Sequence, residues 1–304
     1  MSQTAAPRYD LHAHSTFSDG TMSPAELVAH AARQGVAVLA LTDHDTTDGV
    51  AEALIAARRN GTSVVPGVEI SVTWDRRTIH IVGLLVDPDC QVLQEGLSGL
   101  RRFRRWRAEE IARRLSKAGI EGALEGARKQ AAGSSIGRIH FARFLVEKGY
   151  AEEMRQVFKR FLVKGKPGHV RGEWATLEQA VSWIRAAGGM AVIAHPARYR
   201  LSAVRLRRLI GEFREVGGCG IEVVSSSHSR DDCFAMALQA RRAGLLASAG
   251  SDYHGPDNPW IELGRIPPLP DGCLPVWESP RWRLYEVPRE GYPLQFHSER
   301  WPRG

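Results

Sequence analysis

The chain has 304 residues, 43% of them hydrophobic and 25% charged, an ordinary globular composition that excludes fibrous and bulk-disordered classes. No apolar run approaches the roughly 18–20 residues of a membrane span, and residues 1–9 lack the basic and apolar regions of a signal peptide, so a cytoplasmic chain without a membrane partner is expected. The net charge of +7 is uneven: residues 101–171 hold 19 Lys and Arg against 7 Asp and Glu, and the remainder holds 22 against 27. An acidic body with one basic segment points to cations in the body and an anionic partner at the segment.

Taken in chain order, residues 8–13 form a short strand pattern leading into a loop. Ser23-Pro24-Ala25-Glu26 combines a capping box with proline at the first helical position, and Gly35 supplies the stop. Residues 36–41 are a continuous apolar run, as expected of a strand buried on both faces. A helix over 49–59 ends at Gly61, and strands follow over 63–70 and 77–86. After an interruption, Thr176 caps a helix reaching Gly188, and 190–194 is a strand. Helix 202–216, strand 220–224, helix 231–243 and strand 246–250 complete the alternation, and the tail from Pro256 reads as an irregular closing wrap. About seven strands separated by helices, with one adjacent strand pair, predict a mainly parallel α/β sheet or barrel.

The interruption, residues 100–170, is entirely helical by pattern: 101–118, 139–148 and 152–163. It divides the chain into a body of residues 1–99 and 171–304 and a basic helical insertion perched on the loop side of the barrel. Cys90, Cys219, Cys233 and Cys273 are scattered with no CxxC pair, which excludes a zinc knuckle or disulfide framework and fits a reducing compartment.

Six of the eleven histidines sit at or next to predicted strand ends: His12, His14, His44, His80, His195 and His254. Glu69 and Asp252 share those ends. In parallel α/β folds the C-terminal strand ends form the functional face. His12 and His14, two apart on an extended chain, project to the same side and can grip one cation. A single such histidine is more often a packing or loop residue, but this many at one face are hard to explain without metal, because buried unpaired polar groups are costly. Imidazole and carboxylate donors without thiolate suit Mn²⁺, Fe²⁺ or Zn²⁺, and eight or more candidates exceed what one ion needs.

His12-x-His14, Thr42-Asp43-His44-Asp45, Gly67-Val68-Glu69, His80, His195-Pro196 and Ser251-Asp252-x-His254 occur in an order that resembles the PHP (polymerase and histidinol phosphatase) family over about residues 8–255. The resemblance implies a distorted (β/α)7 TIM-like barrel with a trinuclear metal site. By that resemblance His12, His14, Glu69 and Asp252 hold one ion, Glu69 (bridging), His80 and His195 a second, and Asp19, His44 and His254 a third. Asp43 and Asp45 are read either as carboxylates orienting His44 or, for Asp45, as a helix cap. The insertion, with Gly137-Arg138-Ile-His140-Phe-Ala-Arg143, resembles the subgroup that includes nucleoside 3′,5′-bisphosphate phosphatases and 5′→3′ exonucleases on short RNA (the RNase AM group).

The expected chemistry is in-line attack on phosphorus by a hydroxide bridging the ions, with no covalent nucleophile. His195, Asp252 and His228 are the catalytic candidates, with His228 and His195 as alternative proton donors to the leaving group. Arg138, His140, Arg143, Lys164, Arg171 and Arg198 are the candidates for holding substrate phosphate or base, Arg198 being best placed two residues past His195-Pro196. The expected partner is a small nucleotide with two phosphates, with short RNA as a further substrate and no obligate protein partner. The Arg101–Arg107 run, with Phe103 and Trp106 interleaved, has two readings. Its apolar spacing favours an amphipathic helix with a basic outer face over a nucleic-acid track. His140 has two readings as well, stacking on a base or packing. A histidinol-phosphate phosphatase, a metal-dependent amidohydrolase and a non-catalytic nucleotide-binding regulator are the competing functions. The first gives no role to the basic insertion, the second usually bridges its ions with a modified lysine, and the third has no need of so complete a ligand set.

Overall fold

The computed structural model of the protein describes residues 7–131 and 135–284. Its seven strands are β1 (Tyr9–Ala13), β2 (Val38–Leu41), β3 (Ser63–Trp74), β4 (Arg77–Leu84), β5 (Met190–Ile193), β6 (Gly220–Ser225) and β7 (Leu246–Gly250), and they neighbour one another in chain order. The pairings β1–β2, β2–β3, β5–β6 and β6–β7 are parallel; β3–β4 and β4–β5 are antiparallel. The adjacent strand pair read from the sequence is this β3–β4 hairpin, and β3 runs on to Trp74, four residues beyond its predicted end. The ring closes just past β7, where the Asp252 amide donates to the His12 carbonyl at 2.9 Å and the His14 amide to the Tyr253 carbonyl at 2.9 Å. Closure needs a glycine: a Cβ at Gly250 would stand 2.3 Å from the His12 Cβ.

Helices α1 (Pro24–Arg33), α2 (Val50–Asn60), α7 (Leu177–Ala186), α8 (Ala203–Glu215) and α9 (Arg230–Ala243) cover the barrel. The capping box at Ser23 forms as expected, and Thr176 caps its helix as expected, with Gln179 completing a box there too. Leu11, Ala40, Val65, Val82 and Val192, one from each of the first five strands, belong to a core that Val276 and Trp282 of the tail complete. Tyr9 stacks on Trp277 with ring centroids 4.3 Å apart, so the tail does wrap the barrel; its residues beyond 284 lie outside the described ones. Among the described residues, no helix is long and apolar enough to cross a membrane.

The remaining helices are α3 (Gln91–Lys117), α4 (Ala123–Gln130), α5 (Arg138–Glu147), α6 (Met154–Val157), continued by a wide turn at Phe158–Leu162, and the short α10 (Pro280–Leu284). Helix α3 starts ten residues before its predicted start and serves two cores. Leu93, Leu97 and Leu100 pack into the outer core of the barrel, whereas Ala108, Ile111 and Leu115 join Phe141, Leu145, Val157 and Leu162 in a separate cluster. Helix α4 was not predicted, because an eight-residue segment with an internal glycine has little helical signal of its own. Gly126 is required there by packing, since a Cβ would fall 2.0 Å from the Phe144 ring.

Candidate metal centre

One end of the barrel gathers the polar side chains, from the loops after the parallel strands and from within β3 and β4. His12 comes from β1 and His14 directly follows it, His44 follows β2, Glu69 lies on β3, His80 on β4, His195 follows β5, and Asp252 and His254 follow β7. The backbone bends to do this: Asp45, His195 and Asp252 have φ of 54°, 29° and 56°, a region non-glycine residues seldom adopt. Strain of that kind persists where the surrounding structure holds it and gathers at functional sites.

His12 Nε2 lies 3.1 Å from His14 Nε2, 3.4 Å from Glu69 Oε2 and 3.5 Å from Asp252 Oδ1, and His14 Nε2 is 3.3 Å from each of those two oxygens. A tetrahedron with metal–ligand bonds of ~2.1 Å has edges of roughly 3.4 Å, so this spacing is that of donors around one ion. Glu69 turns its other oxygen to His80 Nδ1 at 2.8 Å and His195 Nε2 at 2.9 Å. Beyond His14, Asp19 lies 3.2 Å from His254 Nε2 and 3.8 Å from His44 Nε2. All nine residues read as ligands therefore meet. Their donor atoms form four overlapping groups, each within 4.8 Å, with Glu69 shared by two of them.

A cation accounts for these contacts better than hydrogen bonding does. Asp19 Oδ1, His44 Nδ1, Glu69 Oε2 and His80 Nδ1 are buried yet lack a hydrogen bond of acceptable geometry, although a carboxylate oxygen and an imidazole nitrogen approach to 2.8 Å. Lone pairs aimed at a common third point produce such short, misdirected contacts, and orphaned buried polar groups are otherwise expensive. The protonation pattern agrees. Burial alone would raise the Glu69 carboxyl, but the His80, His44 and His12 imidazoles outweigh it and hold it well below the usual range. Burial, reinforced by His254 and His44, pushes His14 down to about 3, so its lone pair is free at neutral pH. Imidazole and carboxylate donors without thiolate fit a divalent first-row ion.

Several supporting residues escaped the sequence reading. Glu222 on β6, wholly buried, takes His12 Nδ1 at 2.6 Å with one oxygen and accepts the His195 backbone N–H with the other. A carboxylate within the apolar run Gly220–Ser225 was the available signal. Tyr199 accepts the His80 amide at 2.8 Å and packs edge-on against His195. Neither flanking aspartate orients His44. Asp43 accepts from the Ser15 amide at 2.8 Å and from the Ser15 and Ser18 hydroxyls, both at 2.6 Å, and so shapes the loop after β1. Asp45 accepts the Ser71 amide at 2.7 Å and pairs with Arg104 at 2.6 Å.

Above the cluster opens a cavity of about 720 Å³, with Asp19, His44, His80, Asp252 and His254 on its floor and Arg104, Arg107, Arg138, Arg143 and Arg198 on its walls. Arg198 donates to Asp252 Oδ2 at 3.0 Å and is 58% exposed, so it keeps donors for a ligand. Among the described residues Arg107 and Arg138 have no carboxylate partner. Burial first, then the guanidiniums of Arg138 and Arg104, push Arg107 down to about 9; burial, with Arg104 and Arg198, lowers Arg138 too. The expectation of a purely outward basic face on this helix is therefore corrected, since Arg104 and Arg107 turn inward.

The structure does not bring every candidate to this cavity. Lys164 and Arg171 are exposed and outside its walls, and His140 is buried, its Nδ1 accepting the Gly137 amide at 2.9 Å to cap α5. His140 thus packs rather than stacks on a base. His228 has both ring nitrogens engaged by backbone, Nδ1 donating to the Val223 carbonyl (3.1 Å) and Nε2 accepting the Ala197 amide (3.4 Å).

Similarity to known proteins covers nearly the whole chain. It is 48% identical over 276 residues, 90% of this chain and 97% of the other, to a protein of Chromobacterium violaceum named 3′,5′-nucleoside bisphosphate phosphatase. It is 47% identical over 283 residues, 92% of this chain and 94% of the other, to the 5′-3′ exoribonuclease Rnm of Escherichia coli. A solved Chromobacterium violaceum structure, described as an amidohydrolase with bound sulfate and no metal, superposes with a TM-score of 0.85 at 49% identity, covering 89% of this chain and 94% of that one. The PHP domain match spans residues 10–189, and the same ring of ligands is completed beyond it by β5 and β7. With its seven-stranded barrel and a histidine cluster gathered around one shared glutamate, the chain belongs to the PHP domain family.

Proposed function

We propose that this protein is a metal-dependent phosphatase that removes the 3′-phosphate of nucleoside 3′,5′-bisphosphates and also trims 5′ nucleotides from short RNA. The carrying observation is one cavity whose floor exposes five residues of a nine-residue His, Asp and Glu cluster able to hold cations, and whose walls hold the unneutralised arginines Arg107 and Arg138. A cation centre can take the phosphoryl group that reacts, and the wall arginines can take the phosphate that does not. The names of its relatives, a nucleoside bisphosphate phosphatase and an exoribonuclease, describe substrates of that kind.

His12, His14, Glu69 and Asp252 would hold one ion, Glu69, His80 and His195 a second, and Asp19, His44 and His254 a third, with Mn²⁺ the best fit and Fe²⁺ or Zn²⁺ acceptable to the same donors. Divalent ions there supply Lewis acidity and a water acidic enough to attack phosphorus at neutral pH. Glu222 fixes the His12 ring and the His195 backbone, so the donors are aligned before substrate arrives. Arg198 steadies Asp252 while offering its free donors to a phosphoryl oxygen, and Arg107 and Arg138 clamp the distal phosphate. Residues 100–170 act as a cap that excludes water from these contacts. Glu69 stands where an amidohydrolase would place a modified lysine, which favours phosphoester over amide chemistry. A cytoplasmic setting suits nucleotide substrates and four free cysteines.

Arginine walls disfavour histidinol phosphate, which carries a cationic amine. The deciding measurement is phosphate release from adenosine 3′,5′-bisphosphate with added Mn²⁺, beside histidinol phosphate. Turnover of the bisphosphate is expected. Turnover of histidinol phosphate alone would overturn the proposal, and hydrolysis of neither would leave only a binding role.

A further inference from the structure

Resting on the proposed function, we propose that Trp106, with Arg102 beside it, is a stacking platform for the nucleotides of an RNA chain that extend beyond the one held in the cavity. Successive residues of an α-helix are turned by about 100°, which orders the side chains around α3. Arg104 and Arg107 enter the cavity wall. Phe103 comes next around the helix, half-buried, its ring 4.8 Å from the ring of Trp174, which itself lines the cavity. Trp106 follows, 5.4 Å from Phe103 and 52% exposed, and Arg102 lies one turn before it, also exposed.

Three rings in mutual contact therefore lead from the cavity wall to solvent, and the outermost, Trp106, offers its exposed face to a base. Packing does not explain the outermost one. The cap's core is built from Ala108, Ile111 and Leu115, and Trp106 has no place in it. Gly99, one turn before Phe103 on the same stripe, adds nothing to fill the surface; a Cβ there would meet only the tip of Arg102, at 3.8 Å. Charge selects the occupant. Residues 101–171 carry a net +12, complementary to a phosphodiester backbone, and single-stranded nucleic acid is held by aromatic rings within basic grooves. A mononucleotide fits within the cavity and does not need this track, but the rest of an RNA does.

The test uses full-length protein and the variants Trp106→Ala and Trp106→Phe, with thermal melts to verify folding. Fluorescence anisotropy with the metal chelated reports binding of a 5′-phosphorylated hexaribonucleotide labelled at its 3′ end. Turnover of adenosine 3′,5′-bisphosphate with Mn²⁺ is measured in parallel. Trp106→Ala should weaken hexanucleotide binding about tenfold, with Trp106→Phe retaining most of it, and bisphosphate turnover should stay within about twofold of wild type. Hexanucleotide binding by Trp106→Ala equal to wild type would overturn the inference, as would a proportional loss of bisphosphate turnover. The functional proposal fails on a separate reading, the absence of bisphosphate turnover by wild type, and the binding comparison still decides the role of Trp106.

Discussion

Glu222 reaches beneath the centre without being one of its donors. One oxygen, 2.6 Å from His12 Nδ1, sets which nitrogen of that ring faces the other donors. Partners of this kind typically change metal affinity 10–100-fold. Glu222→Gln should therefore lower metal affinity by about that factor with little change in secondary structure, as measured by chelator competition and circular dichroism. Unchanged affinity would show that the His12 ring is held by its other neighbours alone. Arg107 poses the opposite case, a buried cation beside Arg138 and Arg104 with no carboxylate. Removing an uncompensated buried charge relieves repulsion, and a site built for a ligand often sacrifices stability to hold it. Arg107→Met should raise Tm by a few degrees while raising KM for a bisphosphorylated nucleotide about tenfold or more. A fall in stability with KM unchanged would mean that the arginine serves the fold.

At the scale of elements, the start of α5 depends on one imidazole. His140 Nδ1 accepts the Gly137 amide only while that nitrogen is unprotonated, and burial pushes His140 down to about 4 from an ordinary 6.5. Between those values the unfolded chain binds more protons than the folded one. Stability is therefore intact above pH 6.5, is lost as pH falls toward 4, and amounts at the lower end to roughly 3 kcal/mol. His140→Gln keeps an acceptor at the same helical position and cannot titrate. Denaturant melts should show the variant losing less stability than wild type across that window, and parallel pH curves would refute the role. Helix α3 is the other informative element. Its leucines at 93, 97 and 100 belong to the barrel core and its later apolar residues to the cap core, so one rigid rod positions Arg104 and Arg107 on the cavity wall.

For the whole molecule, the barrel core and the cation cluster occupy different layers. Leu11, Ala40, Val65, Val82 and Val192 are packed irrespective of what the donors hold, so the fold should survive metal removal. A ligand that binds only the folded state adds stability in proportion to its concentration over Kd. Chelation should lower Tm by several degrees, abolish hydrolysis and leave the far-ultraviolet spectrum unchanged, and Mn²⁺ should restore both losses. Unfolding on chelation would mean that the donors' mutual repulsion governs the barrel.

The candidate metal cluster was legible from sequence because its residue types are costly near strand ends without a compensating ion. His12, His44, Glu69, His195 and Asp252 could thus be named before any geometry was known. The βα alternation was legible for a related reason, since apolar runs, capping boxes and stop glycines are local signals. What faces an arginine on a helix is not local. The inward turn of Arg104 and Arg107, and the use of His140 as a cap rather than a base contact, emerged only once α3 and α5 were packed over the barrel. The pairing of Glu222 with His12 joins residues 210 positions apart. The amino-acid sequence by itself determined the donors and the strands that carry them; tertiary packing alone decided the walls of the cavity, because an arginine's partner is chosen by the fold and not by its neighbours in the chain.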